Sequence, residues 1–167
     1  MKISKVVGLG FLLCLFSLQM TAQRSYLEDA DKKLLKEEKY FDAIELYKKA
    51  YVKEPGRDVK AEIIFKIAEA YRLSDQPQQA EVWYDKSIIA QYADPIAKLR
   101  LGDMKMMNGK YDEALVAYQK YVAEDPSDSR GKMGIEAAEK AQAWSDNPKN
   151  YTEESYLKKR WRAFRLC

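Results

Sequence analysis

Small and aromatic residues return along this chain at intervals of three and four. Ala43 is followed by Tyr47 and Ala50, Ala80 by Tyr84 and Ser87, and Ala114 by Tyr118 and Tyr121. A helix completes a turn in about 3.6 residues, so each set falls on one helical face. Ile67, Ala68 and Tyr71 precede the second set in the same rhythm, and Leu101-Gly102 precedes the third. The pattern predicts helices near 25–38, 41–52, 59–73, 77–90, 95–108 and 111–123. Asp94-Pro95 suits a helix start, Asn108-Gly109 a link between paired helices, and Pro126 the opening of a further helix. Beyond it, Met133, Ala137, Ala141 and Trp144 form a stripe, with Glu136, Glu139 and Lys140 on other faces.

The three sets are one motif repeated. Ala43-(x3)-Tyr47-(x2)-Ala50-(x4)-Pro55 returns as Ala80-(x3)-Tyr84-(x2)-Ser87 and as Ala114-(x3)-Tyr118-(x2)-Tyr121-(x4)-Pro126, the leading alanines standing 37 and 34 residues apart. This resembles the tetratricopeptide (TPR) repeat, two antiparallel helices in about 34 residues. A small residue on each helix (Ala68 or Gly102 on the first; Ala43, Ala80 or Ala114 on the second) lets the backbones approach while tyrosine fills the space beside them. The predicted fold is therefore an all-α TPR solenoid: three helix-turn-helix repeats and a capping helix that covers the apolar end of the stack, together spanning 23–147. Two positions depart from the pattern. The first repeat has Leu27, Ala30, Asp31 and Leu34 where aromatics and glycine are common, and the third has Lys105 where tyrosine is usual, a gap that Met106 is expected to fill. A charge at Ala137 is expected to undock the cap.

In TPR stacks the first helices line a concave channel. Projecting those positions gives Glu28, Lys32, Leu35 and Lys36 in the first repeat, Phe65, Glu69, Arg72 and Leu73 in the second, and Leu99, Asp103, Met106 and Met107 in the third. The candidate partner-binding groove is Leu35, Phe65, Glu69, Arg72, Leu73, Leu99, Asp103, Met106 and Met107. Its apolar members suit a helix face or peptide, methionine adapting its shape, and Arg72 suits an acidic group. The basic set by which cytosolic TPR co-chaperones clamp a terminal carboxylate is not matched, since Ser25, Glu28 and Lys32 stand at the relevant places.

Chemistry is scarce. The 167 residues contain no histidine and two cysteines, Cys14 and Cys167, which leaves no Cys–His or Ser–His nucleophile and no predicted metal, cofactor or catalytic site. Glu69 and Asp103 offer carboxylates for a hydrolase, but solvated acids abound on any repeat surface. Gly131-Lys132-Met133-Gly134 lacks the strand and the Lys-Ser/Thr ending of a phosphate loop. Residues 1–22 read as a secretory signal peptide: basic Met1-Lys2-Ile3-Ser4-Lys5, apolar Val6 to Leu18, and Ala22 before the cut. Cleavage removes two lysines and no acids, so the charge falls from +3 to +1. Without a basic face no nucleic-acid partner is expected.

With Ala30-Asp31, Asp42-Ala43-Ile44-Glu45-Leu46-Tyr47, Gly134-Ile135-Glu136-Ala137-Ala138 and Trp144-Ser145-Asp146-Asn147-Pro148 following the export signal, residues 1–150 resemble the N-terminal part of the Bacteroidetes OmpA-family envelope proteins. Those join TPRs to a β-propeller and a peptidoglycan-binding domain, and they include the PorE-like components of type IX secretion. The resemblance implies a periplasmic scaffold, associated with the outer membrane, whose partner is another envelope or secretion protein. A self-associating structural protein, a homo-oligomer, is the main alternative. Residues 148–167 form a basic tail with Lys158, Lys159, Arg160, Arg162 and Arg165 among Trp161 and Phe164. A disordered end or a truncation remnant is preferred there over a segment touching anionic membrane.

Overall fold

The computed structural model describes residues 26–147; the segments read as signal peptide and basic tail lie outside them. The helix α1 covers residues 26–35, followed by α2 (Tyr40–Lys53), α3 (Arg57–Leu73), α4 (Pro77–Ile89), α5 (Ile96–Met107), α6 (Tyr111–Glu124) and α7 (Ser129–Asp146). There is no strand among the described residues. From α2 onward each helix packs on the next, and α7 also reaches α5. The architecture is the all-α solenoid predicted from the repeats.

Local chemistry sets the helix ends. Asp94 Oδ1 accepts the Ile96 N–H at 2.9 Å, capping α5 across Pro95. Pro126 lies in a turn, and α7 starts three residues later, where Asp128 Oδ1 accepts the Arg130 N–H at 2.9 Å. Within each pair the chain reverses through one residue in the left-handed region: Glu38 (φ 53°), Asp75 (φ 57°) and Gly109 (φ 73°). In the second and third pairs the turn closes with a bond spanning five residues, Gln76 N–H to the Tyr71 carbonyl at 3.0 Å and Lys110 N–H to that of Lys105 at 2.9 Å. In the first it spans six, Lys39 N–H to Lys33 at 2.9 Å. One extra residue thus sits between α1 and α2, and α1 stops at 35, short of the 38 read from the sequence, because the chain is already reversing through Glu38. The extra residue shifts the register of α1 against the other first helices.

The core is small residues against tyrosine rings. Ala43, Ala80 and Ala114 are fully buried, as are Tyr47 and Tyr84, with Tyr118 nearly so; each buried ring contributes roughly 2 kcal/mol through area removed from water. Leu27, Ala30 and Leu34 pack with Ile44, Tyr47 and Ile67, so the departures in the first repeat still build core. A methyl at Gly102 would lie 2.5 Å from Tyr118 Cε1, and one at Gly134 would lie 2.6 Å from the same atom. Gly131 fits against Tyr121 and Val122 in the same way.

Two expectations are corrected here. The docked face of α7 is Gly131, Gly134, Ile135 and Ala138, one position away from the stripe read in the sequence. Ala138 is 1% exposed, whereas Met133 is 65% exposed and Ala137 also faces outward. The helix turns its smallest residues inward because Tyr118 and Tyr121 already occupy the space that larger side chains would need. Met106 does not fill the place of the missing tyrosine either. Lys105 itself is buried there, its ammonium held by Glu81 Oε1 at 3.3 Å and by Glu113, while Met106 packs beside Tyr118.

Candidate partner-binding site

The first helices stand side by side, joined by charges. Lys66 on α3 reaches Asp31 Oδ1 on α1 at 3.0 Å, and Arg100 on α5 approaches Glu69 Oε1 on α3 at 3.7 Å. Each of these acids, with Asp103 on α5, also accepts a phenol hydroxyl from the second helix of its own pair. Tyr47 donates to Asp31 at 2.5 Å, Tyr84 donates to Glu69, and Tyr118 donates to Asp103 at 2.9 Å. One tyrosine–carboxylate link thus recurs in all three repeats, and a basic residue from the following first helix braces the first two of them. Arg72 adds a second bond to Glu69 at 2.6 Å, and Arg100 one to Asp103 at 3.4 Å.

Electrostatics follow this geometry. Burial pushes the phenols of Tyr47, Tyr84 and Tyr118 well above their ordinary range, and the carboxylate beside each raises them further. Burial works against the charge on Lys66, but hydrogen bonds to Asp31 and Glu62 outweigh it and hold the pKa above normal. The Arg72 guanidinium is held charged chiefly by its bond to Glu69.

The nine projected groove residues separate into distinct sets. Leu35, Leu73 and Met107, the last residues of α1, α3 and α5, are 73%, 41% and 57% exposed and form a row along one end of the first helices. Glu69, Arg72 and Asp103 belong to the charged ladder. Phe65 is half-buried, stacked on Tyr92 with ring centres 4.4 Å apart and edge-on to Tyr84 at 5.8 Å. Met106 is half-buried against the third-repeat core. Leu99 is only 2% exposed and packs on Tyr118 and Tyr121; it ties α5 to α6 and cannot line an open surface.

Asp31, Lys66 and Arg100 were not read as part of this wall. Counting back from Ala43 by the spacing of the later repeats puts Lys32 opposite Glu69 and Asp103. The extra turn residue makes Asp31 their counterpart, and only the tyrosine bond reveals it.

Small-to-tyrosine packing, left-handed turns at one repeated place and side-by-side first helices leave a single architecture. The fold is that of a TPR domain. No family model matches the sequence, and no curated protein matches it. Among solved structures, the TPR domain of Sgt2 from Aspergillus fumigatus superposes with a TM-score of 0.62 at 20% identity, covering 75% of this chain and 82% of that one. The first TPR of Spaghetti (RPAP3), bound to the HSP90 peptide SRMEEVD, gives 0.64 at 21% identity, covering 72% of this chain and 93% of that one. The second TPR domain of human RPAP3, in complex with the HSP70 peptide SGPTIEEVD, gives 0.61 at 22%, covering 71% and 97%. These likenesses concern the fold.

Proposed function

We propose that this chain is a non-catalytic scaffold that holds a peptide or helix of another protein along its first helices. The observation that carries this reading is the exposed row of Leu35, Leu73 and Met107 beside a charge-paired wall. An apolar row supplies area for a partner's side chains, and ion pairs already satisfied within the wall need no partner to neutralise them. Neighbours of the same fold that carry bound peptides, SRMEEVD in one and SGPTIEEVD in another, support a peptide-holding role. The ligand here differs in chemistry. Lys66, Arg72 and Arg100 are already engaged by Asp31, Glu69 and Asp103, so among the described residues the wall has no spare cation for a terminal acidic tail and the preferred segment is apolar.

The signal-like residues 1–22 and the resemblance of residues 1–150 to OmpA-family envelope proteins support a periplasmic setting. There the partner is another component of an outer-membrane, secretion or peptidoglycan-associated assembly. The test places a photo-crosslinking residue at Met107 in the exported protein and compares it with a form that also carries Leu35→Glu and Leu73→Glu. One discrete adduct in the envelope fraction that disappears in the double variant supports the reading. An adduct unaffected by the two charges, or none at all, removes it.

A further inference from the structure

Between α4 and α6, over α5, lies an open recess of about 270 Å³ lined by Ile88, Leu101, Val116 and Ala117 and by five charged side chains, Asp85, Lys98, Lys105, Glu113 and Lys120. It is formed by the second helices α4 and α6 with one side of α5, and takes in none of the projected groove residues. The corresponding crevice one repeat earlier, between α2 and α4, is filled by the chain itself. There Tyr71 and Trp83 stack with ring centres 6.4 Å apart and planes 21° from parallel. Both rings pack against the core of the first two repeats, and the Lys86 ammonium stands 4.3 Å from the centre of the Trp83 ring.

Moving forward by the 34 residues that separate Ala80 from Ala114, Tyr71 becomes Lys105, Trp83 becomes Ala117 and Lys86 becomes Lys120. Both rings are lost and the lysine is kept. Lys105 does not take up the space, because its ammonium is drawn to Glu81 and Glu113, and Ala117 is too short to do so. What remains is a recess with apolar walls of Ile88, Leu101, Val116 and Ala117 among charged side chains, and with a cation at the repeat position that covers an indole one repeat earlier.

We propose that this recess binds one aromatic side chain presented by a partner polypeptide, an inserted ring doing for the third repeat what Trp83 does for the second. The site has the chemistry such a ring needs. Ala117 and Leu101 lie deep, being buried, and the half-exposed Val116 stands at the mouth. Lys120 offers a cation–π contact from the counterpart of the Lys86 position. The volume is ample, since a dry cavity of roughly 150 Å³ already accepts benzene. An aliphatic side chain would occupy less of the recess and gain nothing from the ammonium.

The probe is N-acetyl-tryptophanamide, with N-acetyl-leucinamide as control, titrated into the full chain while the methyl resonances of Ile88, Leu101, Val116 and Ala117 are followed. A lone side-chain analogue binds weakly, with saturation in the millimolar range. Saturable shifts at these methyls with the tryptophan probe, at least several-fold weaker with the leucine probe, support the site. Ala117→Trp, which restores the ring of the second repeat, should abolish the response and raise the melting temperature. Val116→Glu, a change at an exposed position, should abolish it without altering the melt, and it decides the matter if Ala117→Trp does not fold. Equal response to both probes, no saturable shift, or shifts confined to methyls outside the recess, such as those of Leu73 and Met106, overturns the proposal. Sedimentation of the wild type that shows a dimer lost in Val116→Glu assigns the recess to a second copy and overturns the separate partner.

Discussion

The Tyr118 hydroxyl donates to Asp103 Oδ1 across 2.9 Å, closing α6 onto α5, and the same bond recurs fifteen or sixteen residues apart in every repeat. The ring packs while its tip makes a charge-assisted bond, so one residue serves both core and wall. Tyr118→Phe keeps the packing and removes only the bond. Asp103 is partly exposed and keeps Arg100 at 3.4 Å, so the expected loss is about 1 kcal/mol, below the usual range for bonds to charged groups. Urea unfolding should show a lower midpoint with an unchanged slope. Tyr118→Ala should lose about 3–5 kcal/mol through the cavity it leaves, and equal effects from the two variants would mean that the bond contributes nothing separable.

Gly102 and Gly134 press on the same Tyr118 ring from α5 and α7. Alanine normally stabilises a helix interior by about 1 kcal/mol over glycine. Here an added methyl at either site would come within 2.6 Å of a ring atom, and overpacking of this kind costs about 1–3 kcal/mol. Gly102→Ala and Gly134→Ala should therefore lower the melting temperature despite better helix propensity. A rise in either case would show that the ring has room to move.

Much of this arrangement could be read before any coordinates. The threefold Ala-Tyr spacing marks the second helices because those residues repeat a packing constraint, and such constraints leave a period in the sequence. The first helices were less legible. Their positions had to be counted from the second helices, and the extra residue before Glu38 displaced Asp31 by one place without any composition signal. The charged wall was hidden for a different reason, since Lys66, Arg100 and Asp31 look like ordinary solvated residues until the fold brings them within 4 Å. Leu99 was misplaced because a leucine at a groove position reads the same whether Tyr121 covers it or leaves it open.

The α7 helix separates two readings that differ by one residue. Sequence periodicity favours Met133, Ala137 and Trp144 as its docking stripe, while the structure docks Gly131, Ile135 and Ala138. Ala138→Glu should bury a carboxylate against Tyr118 and Tyr121 and lower stability by about 3 kcal/mol or more, whereas Ala137→Glu should change it by less than about 0.5 kcal/mol. Thermal melts of the two variants decide, and the opposite order would place the helix in the register of the exposed stripe.

Alkaline pH should act on the buried phenols. In the folded chain Tyr47, Tyr84 and Tyr118 keep their protons far above the ordinary phenol value of about 10, through burial first and the adjacent carboxylates second. Below about pH 10 both folded and unfolded chains hold these protons, and the full stability is present. Above it the unfolded chain ionises while the folded chain does not, so unfolding releases protons and stability falls by up to about 1.4 kcal/mol per pH unit for each tyrosine. Lysines titrate in the same range, which is why the comparison must be made between variants. Urea midpoints of wild type and Tyr84→Phe measured from pH 8 to about pH 11.5 should run parallel below pH 10 and converge above it, because the variant has lost one of the titrating groups. Curves that stay parallel throughout would mean that the Tyr84 phenol ionises as readily in the folded chain as in the unfolded one.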